Sequence, residues 1–169
     1  MYKFVIYLVL VVLLIVVANT QAFSQGFKGI VPLESTCEDV KRILGVAECT
    51  FPRGTYWMKD YVVSVGFIGD RSVNPDRSCY VVPAGRVISV NVSYNKPIPL
   101  AQFDYKLVFA ETLANDVGST IFENIEKGVT AYVQNGTVTS AIFTPSPDLH
   151  KRYACKSVPA SRKTLKRSL

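Results

Sequence analysis

Few side chains in this sequence are suited to catalysis, and the single histidine is the first of them. A Ser/His/Asp hydrolase needs a histidine held by an orienting group beside a nucleophile. His150 follows a Pro-Ser-Pro stretch, and nothing near it resembles a nucleophile elbow. We interpret His150 as a solvated loop histidine and expect no catalytic residue.

Carboxylates could form two other kinds of site. Glycosidases need two converging carboxyl groups, but none of the thirteen acidic residues lies in a suggestive setting. Asp70, Asn74 and Asp76 offer oxygen ligands for calcium, yet they lack the D-x-D-x-D-G order and the bidentate glutamate. We interpret these three as turn residues and expect no metal site and no cofactor.

Residues 1–22 have the order of a secretory signal peptide. Lys3 is followed by the apolar run Phe4 to Val17 and by small residues that end at Ala22. The alternative is an uncleaved anchor, but the run stops at Ala18, short of the about 20 residues that a spanning helix needs. We expect cleavage after Ala22, no membrane span in the mature chain, and a periplasmic or extracellular location.

An exported chain with an even number of cysteines favours disulfides. Zinc is the rival, but no pair has C-x₂₋₄-C spacing. Three pairings are possible for two bridges, and spacing alone does not choose among them. The segment beyond the predicted helix can just reach back far enough for one of them. The four cysteines are Cys37, Cys49, Cys79 and Cys155, and the reachable pair is Cys37–Cys49.

The net charge of +6 is concentrated at the chain ends. Lys3 leaves with the signal, and four basic residues lie in the last eight positions, so the folded body is near +1. We expect a single domain over residues 23–157 and a basic disordered tail over 158–169. A basic tail is not a folded basic patch, so nucleic acid is not an expected partner.

The strongest helix signal lies at 36–44. Ser35 or Thr36 can cap its start, acidic residues occupy its first turn, and Gly45 suits its end. An apolar stripe recurs at helical spacing, formed by Val40, Ile43 and Leu44.

The rest of the sequence predicts antiparallel sheet. Tyr94 shares a strand face with three aliphatic residues, Ile88, Val90 and Val92, and the prolines at 97 and 99 end that strand. Residues 69–78 form a polar loop, and 101–115 is ambiguous between helix and strand. The predicted strands cover 55–58, 61–67, 87–94, 119–124 and a hairpin within 129–143.

The hairpin turns at Asn135-Gly136, which suits a two-residue type I′ turn. This register predicts four pairs: Gln134 with Thr137, Val133 with Val138, Ala131 with Ser140, and Val129 with Ile142. It places Tyr132 and Phe143 on the polar face. The fold class is therefore α+β, with one short helix, and a second one if 101–115 is helical, packed on a sheet of about four to six strands in two layers.

The opening of the mature chain resembles a family of uncharacterised exported bacterial proteins. The shared pattern is G-x-x-P-L-x-S-T-x-x-D-V-x-x-x-L-G, which runs from Gly29 to Gly45. In that family a cysteine in the middle and one at the end recur, which implies a Cys79–Cys155 bridge. More distantly, the helix is similar to that of SmpA/OmlA lipoproteins and of the β-lactamase inhibitor protein fold, whose members bind proteins without a catalytic centre.

The candidate partner-binding residues are aromatic: Tyr56, Trp57, Tyr61 and Tyr80. Such side chains are enriched at binding hot spots, although core packing is their usual role on strands. We expect an exported non-catalytic binding or structural module with another protein as its partner. The alternative is a small cell-envelope hydrolase, which a deep cavity lined by buried ionisable residues would favour.

Overall fold

Seven strands form one antiparallel sheet within the residues that the structure describes. A computed structural model describes residues 26–69, 80–112 and 118–155. The predicted signal peptide, most of the predicted polar loop with its calcium candidates, Cys79 and the predicted basic tail lie outside the described residues. The strands are β1 (Arg53–Trp57), β2 (Tyr61–Phe67), β3 (Val87–Pro99), β4 (Val108–Thr112), β5 (Thr120–Asn124), β6 (Val129–Gln134) and β7 (Thr137–Phe143). Their order across the sheet is β1-β2-β3-β7-β6-β5-β4.

Two α-helices accompany the sheet within the described ranges, and the α+β class is confirmed. Helix α1 (Cys37–Leu44) precedes the sheet, and helix α2 (Pro147–Tyr153) follows it. Short 3₁₀ turns cover Leu100–Gln102 and Ile125–Lys127. In the described part of the ambiguous 101–115 segment, residues 101–112 hold the end of the first 3₁₀ turn and strand β4, with no α-helix. No helix in the described ranges is long and apolar enough to cross a membrane.

Helix α1 begins with a reciprocal cap. The Thr36 hydroxyl accepts from the Asp39 backbone N–H at 3.3 Å, and Asp39 Oδ2 accepts from the Thr36 N–H at 2.9 Å. Gly45 ends the helix with φ of 69°, a conformation that glycine adopts without strain. The predicted start and end of this helix are confirmed.

One face of the sheet is covered by α1 and the N-terminal segment. Val40 and Leu44 of the helix are buried against residues that alternate along the strands, including Val63, Val92 and Phe143. The Cys37–Cys49 bridge is confirmed, with 6.0 Å between the Cα atoms, and it fastens the chain beyond α1 to the helix start.

The hairpin register is only partly as predicted. Gln134 pairs with Thr137 and Val133 with Val138, but a bulge then shifts the ladder by one residue. Ala131 pairs with Ala141 and Val129 with Phe143, instead of Ser140 and Ile142. Thr139, whose hydroxyl donates to the Tyr132 carbonyl at 3.2 Å, lies at the bulge. Phe143 therefore faces the core and is 1 % exposed.

Strand β3 differs from its prediction at both ends. A bulge opposite Gly66/Phe67 moves Ile88 off the core face, and Val87 is buried in its place. The strand also continues through Pro97 and ends at Pro99, because Ile98 resumes pairing with Val138 after a second bulge. Pro97 lies within this bulge, where its missing backbone N–H breaks no hydrogen bond between the strands.

His150 lies in helix α2 and not in a loop, so that prediction is wrong. Ser146 caps the helix by accepting from the Leu149 N–H, and Pro147 occupies the first turn, where its missing N–H is harmless. Asp148 lies in the first turn, where its negative charge interacts favourably with the positive end of the helix dipole. The prolines thus end β7 and begin a helix.

Candidate functional site

A cavity with a volume of about 780 Å³ lies on the covered side of the sheet, beyond the N-terminal segment. It opens between the turn at 26–29, the middle of β3 and the segment 102–106. Small-molecule sites typically occupy about 300–1,000 Å³ and are mostly apolar with a few polar groups. The size of this cavity suits such a ligand.

Aromatic rings form a continuous cluster at this cavity. Phe27 meets Tyr61 edge to face at 5.2 Å between centroids, and Phe143 lies 5.7 Å from Phe27. Tyr105 lies 5.3 Å from both Phe143 and Phe103. These rings come from the N-terminal turn, β2, β7 and the 103–105 segment, so the fold assembles the cluster from distant parts of the sequence.

A tight turn positions one edge of the cavity. The Ile30 N–H donates to the Phe27 carbonyl at 2.8 Å. The two residues between them, Lys28 and Gly29, have φ of 52° and 90°, as in a type I′ turn. A lysine in this conformation is unusual. The turn places Lys28 Nζ 4.9 Å from the centre of the Tyr61 ring.

The second bulge of β3 supplies the opposite edge. Residues 94–97 lie between the pairs Ser93–Ser140 and Ile98–Val138, so four residues of β3 face a single residue of β7. Tyr94 and Lys96 of this stretch line the cavity. The bulge therefore turns chain that would otherwise extend the ladder into cavity wall.

Charge at the cavity is predominantly positive. Its lining carries four lysines and two aspartates, a formal charge of +2. No ion pair within 4.0 Å joins these lysines to an acid among the residues that the structure describes. The lysines are Lys28, Lys96, Lys106 and Lys127, and the aspartates are Asp60 and Asp104.

Two tyrosines at the cavity stay neutral over a wide pH range. Burial, with smaller contributions from Tyr105, Asp104 and Tyr61, raises the pKa of Tyr94 to about 12. Burial and Asp104 raise the pKa of Tyr105 to about 12. Both phenols are therefore protonated near neutral pH and can donate hydrogen bonds.

The four predicted partner-binding residues do not form one surface. Tyr56 and Trp57 are neighbours on β1 and point to opposite faces, so Tyr56 is 9 % exposed while Trp57 is 77 % exposed. Tyr61 lines the cavity. Tyr80 lies elsewhere, with its hydroxyl 3.0 Å from His150 Nδ1. The structure brings none of the other three to the cavity with Tyr61.

A second, smaller cavity of about 380 Å³ lies where α2 meets the Ile125–Lys127 turn. His150 and Glu123 line it together with threonine hydroxyls, glycine, proline and aliphatic residues. The lining includes no serine or cysteine. His150 is exposed, as expected.

Sequence reasoning missed most of the larger site. Phe27 lies far from Tyr94, Phe103 and Tyr105 in the sequence, and nothing in their spacing shows that they meet. One available signal was the density of aromatic and lysine residues between 94 and 106, in a segment whose secondary structure was ambiguous.

No protein-family model, no curated protein and no solved structure matches the chain. The resemblance to exported bacterial proteins and to the lipoprotein and inhibitor folds therefore stays a prediction, and the geometry of the cavity is the basis for a function.

Proposed function

We propose that this protein is an exported, non-catalytic binding module whose ligand occupies the aromatic cavity. The observation that carries the proposal is a cavity of about 780 Å³ walled by rings, with charged groups at its mouth. Aromatic rings give large contact area at small entropic cost, which suits recognition. Export is supported by the Cys37–Cys49 bridge and by the signal-like residues 1–22.

The alternative, a small cell-envelope hydrolase, receives less support from the side chains present. The charged residues at the larger cavity are exposed or half-buried, whereas catalytic groups are commonly tuned by burial. The larger cavity offers no histidine, serine or cysteine as base or nucleophile. The smaller cavity has His150 but neither serine nor cysteine.

A protein partner on the opposite face is the second form of the binding proposal. Trp57 is the observation that favours it, because an indole 77 % exposed on an edge strand is unusual for a structural side chain. Its cross-strand neighbour, Val62, is half-buried, and the next pair on this face is polar, with Thr55 beside Ser64, so a large apolar patch does not surround it.

The test is a ligand-observed NMR screen of aromatic fragments that carry negative, neutral or positive groups. We expect a subset to bind the wild-type domain, to lose binding in Tyr61→Ala, and to keep it in Trp57→Ala. Both residues lie on the β1–β2 hairpin and face opposite sides, so Trp57→Ala is a matched control. If no fragment binds, or if Trp57→Ala abolishes binding while Tyr61→Ala does not, the cavity is not the binding site.

A further inference from the structure

We propose that the ligand of the aromatic cavity is a small organic anion, with a flat apolar body and one carboxylate, sulfate or phosphate group. This inference rests on the proposed binding function and adds the chemical class of the ligand. It follows from two features of the cavity that lie side by side, a wall of aromatic rings and a mouth rich in unpaired lysines.

The flat apolar body follows from the wall. Phe27 packs edge to face against Tyr61, with 5.2 Å between the ring centroids, and at a tilt against Phe143 at 5.7 Å. Tyr105 packs edge to face against Phe143 at 5.3 Å. Rings prefer offset-stacked or edge-to-face neighbours. A planar ligand can extend this cluster by the same contacts.

The negative group follows from the lysines. Lys28, Lys96 and Lys106 are exposed and Lys127 is half-buried, and no acid lies within 4.0 Å of any of the four among the described residues. Ammonium groups that have no acidic partner raise the affinity of a nearby cavity for anions. The neutral Tyr94 phenol adds a hydrogen-bond donor at the same cavity.

The two aspartates do not cancel this preference. Asp60 and Asp104 are exposed, as are three of the four lysines, so water screens the charges of both signs alike. The four lysines outnumber them at the lining. A cationic ligand would need the reverse balance, because a positive group beside the aromatic wall would meet Lys28, which already lies over the Tyr61 ring at 4.9 Å.

The backbone of Lys28 fits the same interpretation. Its φ of 52° is a left-handed conformation, which asparagine and glycine adopt more readily. A lysine at this position places a charge at the cavity mouth at some expense in backbone strain.

The test is isothermal titration calorimetry of the domain with three probes of one shape: 2-naphthoate, 2-naphthalenemethanol and 2-naphthylmethylammonium, at neutral pH and low salt. We expect naphthoate to bind at least tenfold tighter than the alcohol and the ammonium probe to bind weakest. Lys96→Gln and Lys127→Gln should each weaken naphthoate several-fold and leave the alcohol unchanged. Lys151→Gln, on helix α2 and outside the cavity lining, is the matched control and should change neither.

Equal affinities for naphthoate and the alcohol, or naphthoate binding that is insensitive to both cavity lysines, would overturn the anion preference. The proposed binding function would survive that result, because the alcohol would still bind and Tyr61→Ala would still abolish its binding. Tighter binding of decanoate than of naphthoate would overturn the inference that the apolar part of the ligand is planar. Failure of all probes, together with failure of the fragment screen, would overturn both proposals.

Discussion

The hydroxyl of Tyr105 donates a hydrogen bond to the carbonyl oxygen of Gly26, 79 positions earlier in the chain. The bond joins the segment that follows β3 to the turn that opens the described chain. Both residues line the larger cavity. This contact therefore links two of the segments that form the cavity.

Tyr105→Phe tests that link. Removing the hydroxyl deletes this hydrogen bond, and the Gly26 carbonyl must then accept from water instead. We therefore expect the free energy of unfolding to fall by about 1 kcal/mol. We also expect weaker binding of cavity ligands, because the N-terminal turn is held less firmly. Urea denaturation measures the first effect and calorimetry the second.

Tyr132→Phe is the control, since Tyr132 is a half-buried tyrosine of β6 on the opposite sheet face. Equal effects of the two substitutions on stability and on ligand affinity would show that the Tyr105–Gly26 bond is unimportant.

Asp39 makes stability sensitive to acid. The backbone N–H of Thr36, then Arg42 and the Thr36 hydroxyl, lower the pKa of Asp39 to about 2. Because the pKa of this carboxyl is lower in the folded protein, its charge stabilises the fold at any pH above 3.8, the pKa in the unfolded chain. This contribution is lost as the pH falls toward 2. Because the side chain is 36 % exposed, solvent screens part of this stabilisation.

We therefore expect Asp39→Ala to lower stability at pH 7 by about 0.5–1 kcal/mol, through loss of the reciprocal cap. As the pH falls from 4 to 2, the difference in stability between Asp39→Ala and the wild type should become smaller. Glu38→Ala, in the same helical turn, should leave a gap of less than about 0.5 kcal/mol at either pH. Thermal unfolding followed by circular dichroism across this range is the measurement, and a gap that widens in acid contradicts the assignment.

Tyr56 contains a buried hydroxyl with no hydrogen-bond partner among the described residues. The group lies against Gly54, where an added Cβ would come within 2.3 Å of the hydroxyl oxygen. A buried polar atom without a partner is unfavourable. We expect Tyr56→Phe to leave the free energy of unfolding unchanged or to raise it by up to about 1 kcal/mol. A clear loss of stability would show that the hydroxyl has a partner.

The second disulfide is expected to matter more than the first. Cys155 is disulfide-bonded, and its predicted partner, Cys79, lies outside the described residues. The residues next to this pair in sequence support the prediction, because Tyr80 pairs with Ala154 and the Val81 N–H donates to the Tyr153 carbonyl at 2.7 Å.

A Cys79–Cys155 loop contributes about 4–5 kcal/mol in the chain-entropy estimate, against about 3 for Cys37–Cys49. In oxidised protein, Cys155→Ser should therefore lower the melting temperature more than Cys37→Ser does. Peptide mapping without reductant identifies the bridges, and a Cys37–Cys79 or Cys37–Cys155 linkage would refute the pairing.

Local signals predicted helix α1 because every one of them lies within the helix or next to it. The cap at Thr36, the buried Val40 and Leu44, and Gly45 are adjacent in sequence and in space. The same holds for the Asn135-Gly136 turn and the first two pairs of its hairpin. Beyond the bulge at Thr139 the alternation misleads, because one extra residue moves Phe143 to the other face.

The cavity could not be predicted in this way. Its wall joins Phe27, Tyr61 and Tyr105, which lie on three separate elements and meet only through the tertiary fold. The bulge at residues 94–97, which forms part of the cavity wall, lies where the prolines predicted the end of a strand. Pairing across the sheet, and not local propensity, decides both features.

The most direct test of the binding claim is a two-dimensional ¹H–¹⁵N NMR titration of the domain with 2-naphthoate. We predict that the largest amide shifts map to the cavity edges at residues 26–29, 94–98 and 102–106. Amides near Trp57 on the opposite face, and those near His150 at the smaller cavity, should stay unchanged. Largest shifts at either of those two places, or no saturable shift anywhere, would contradict the assignment of the aromatic cavity as the binding site.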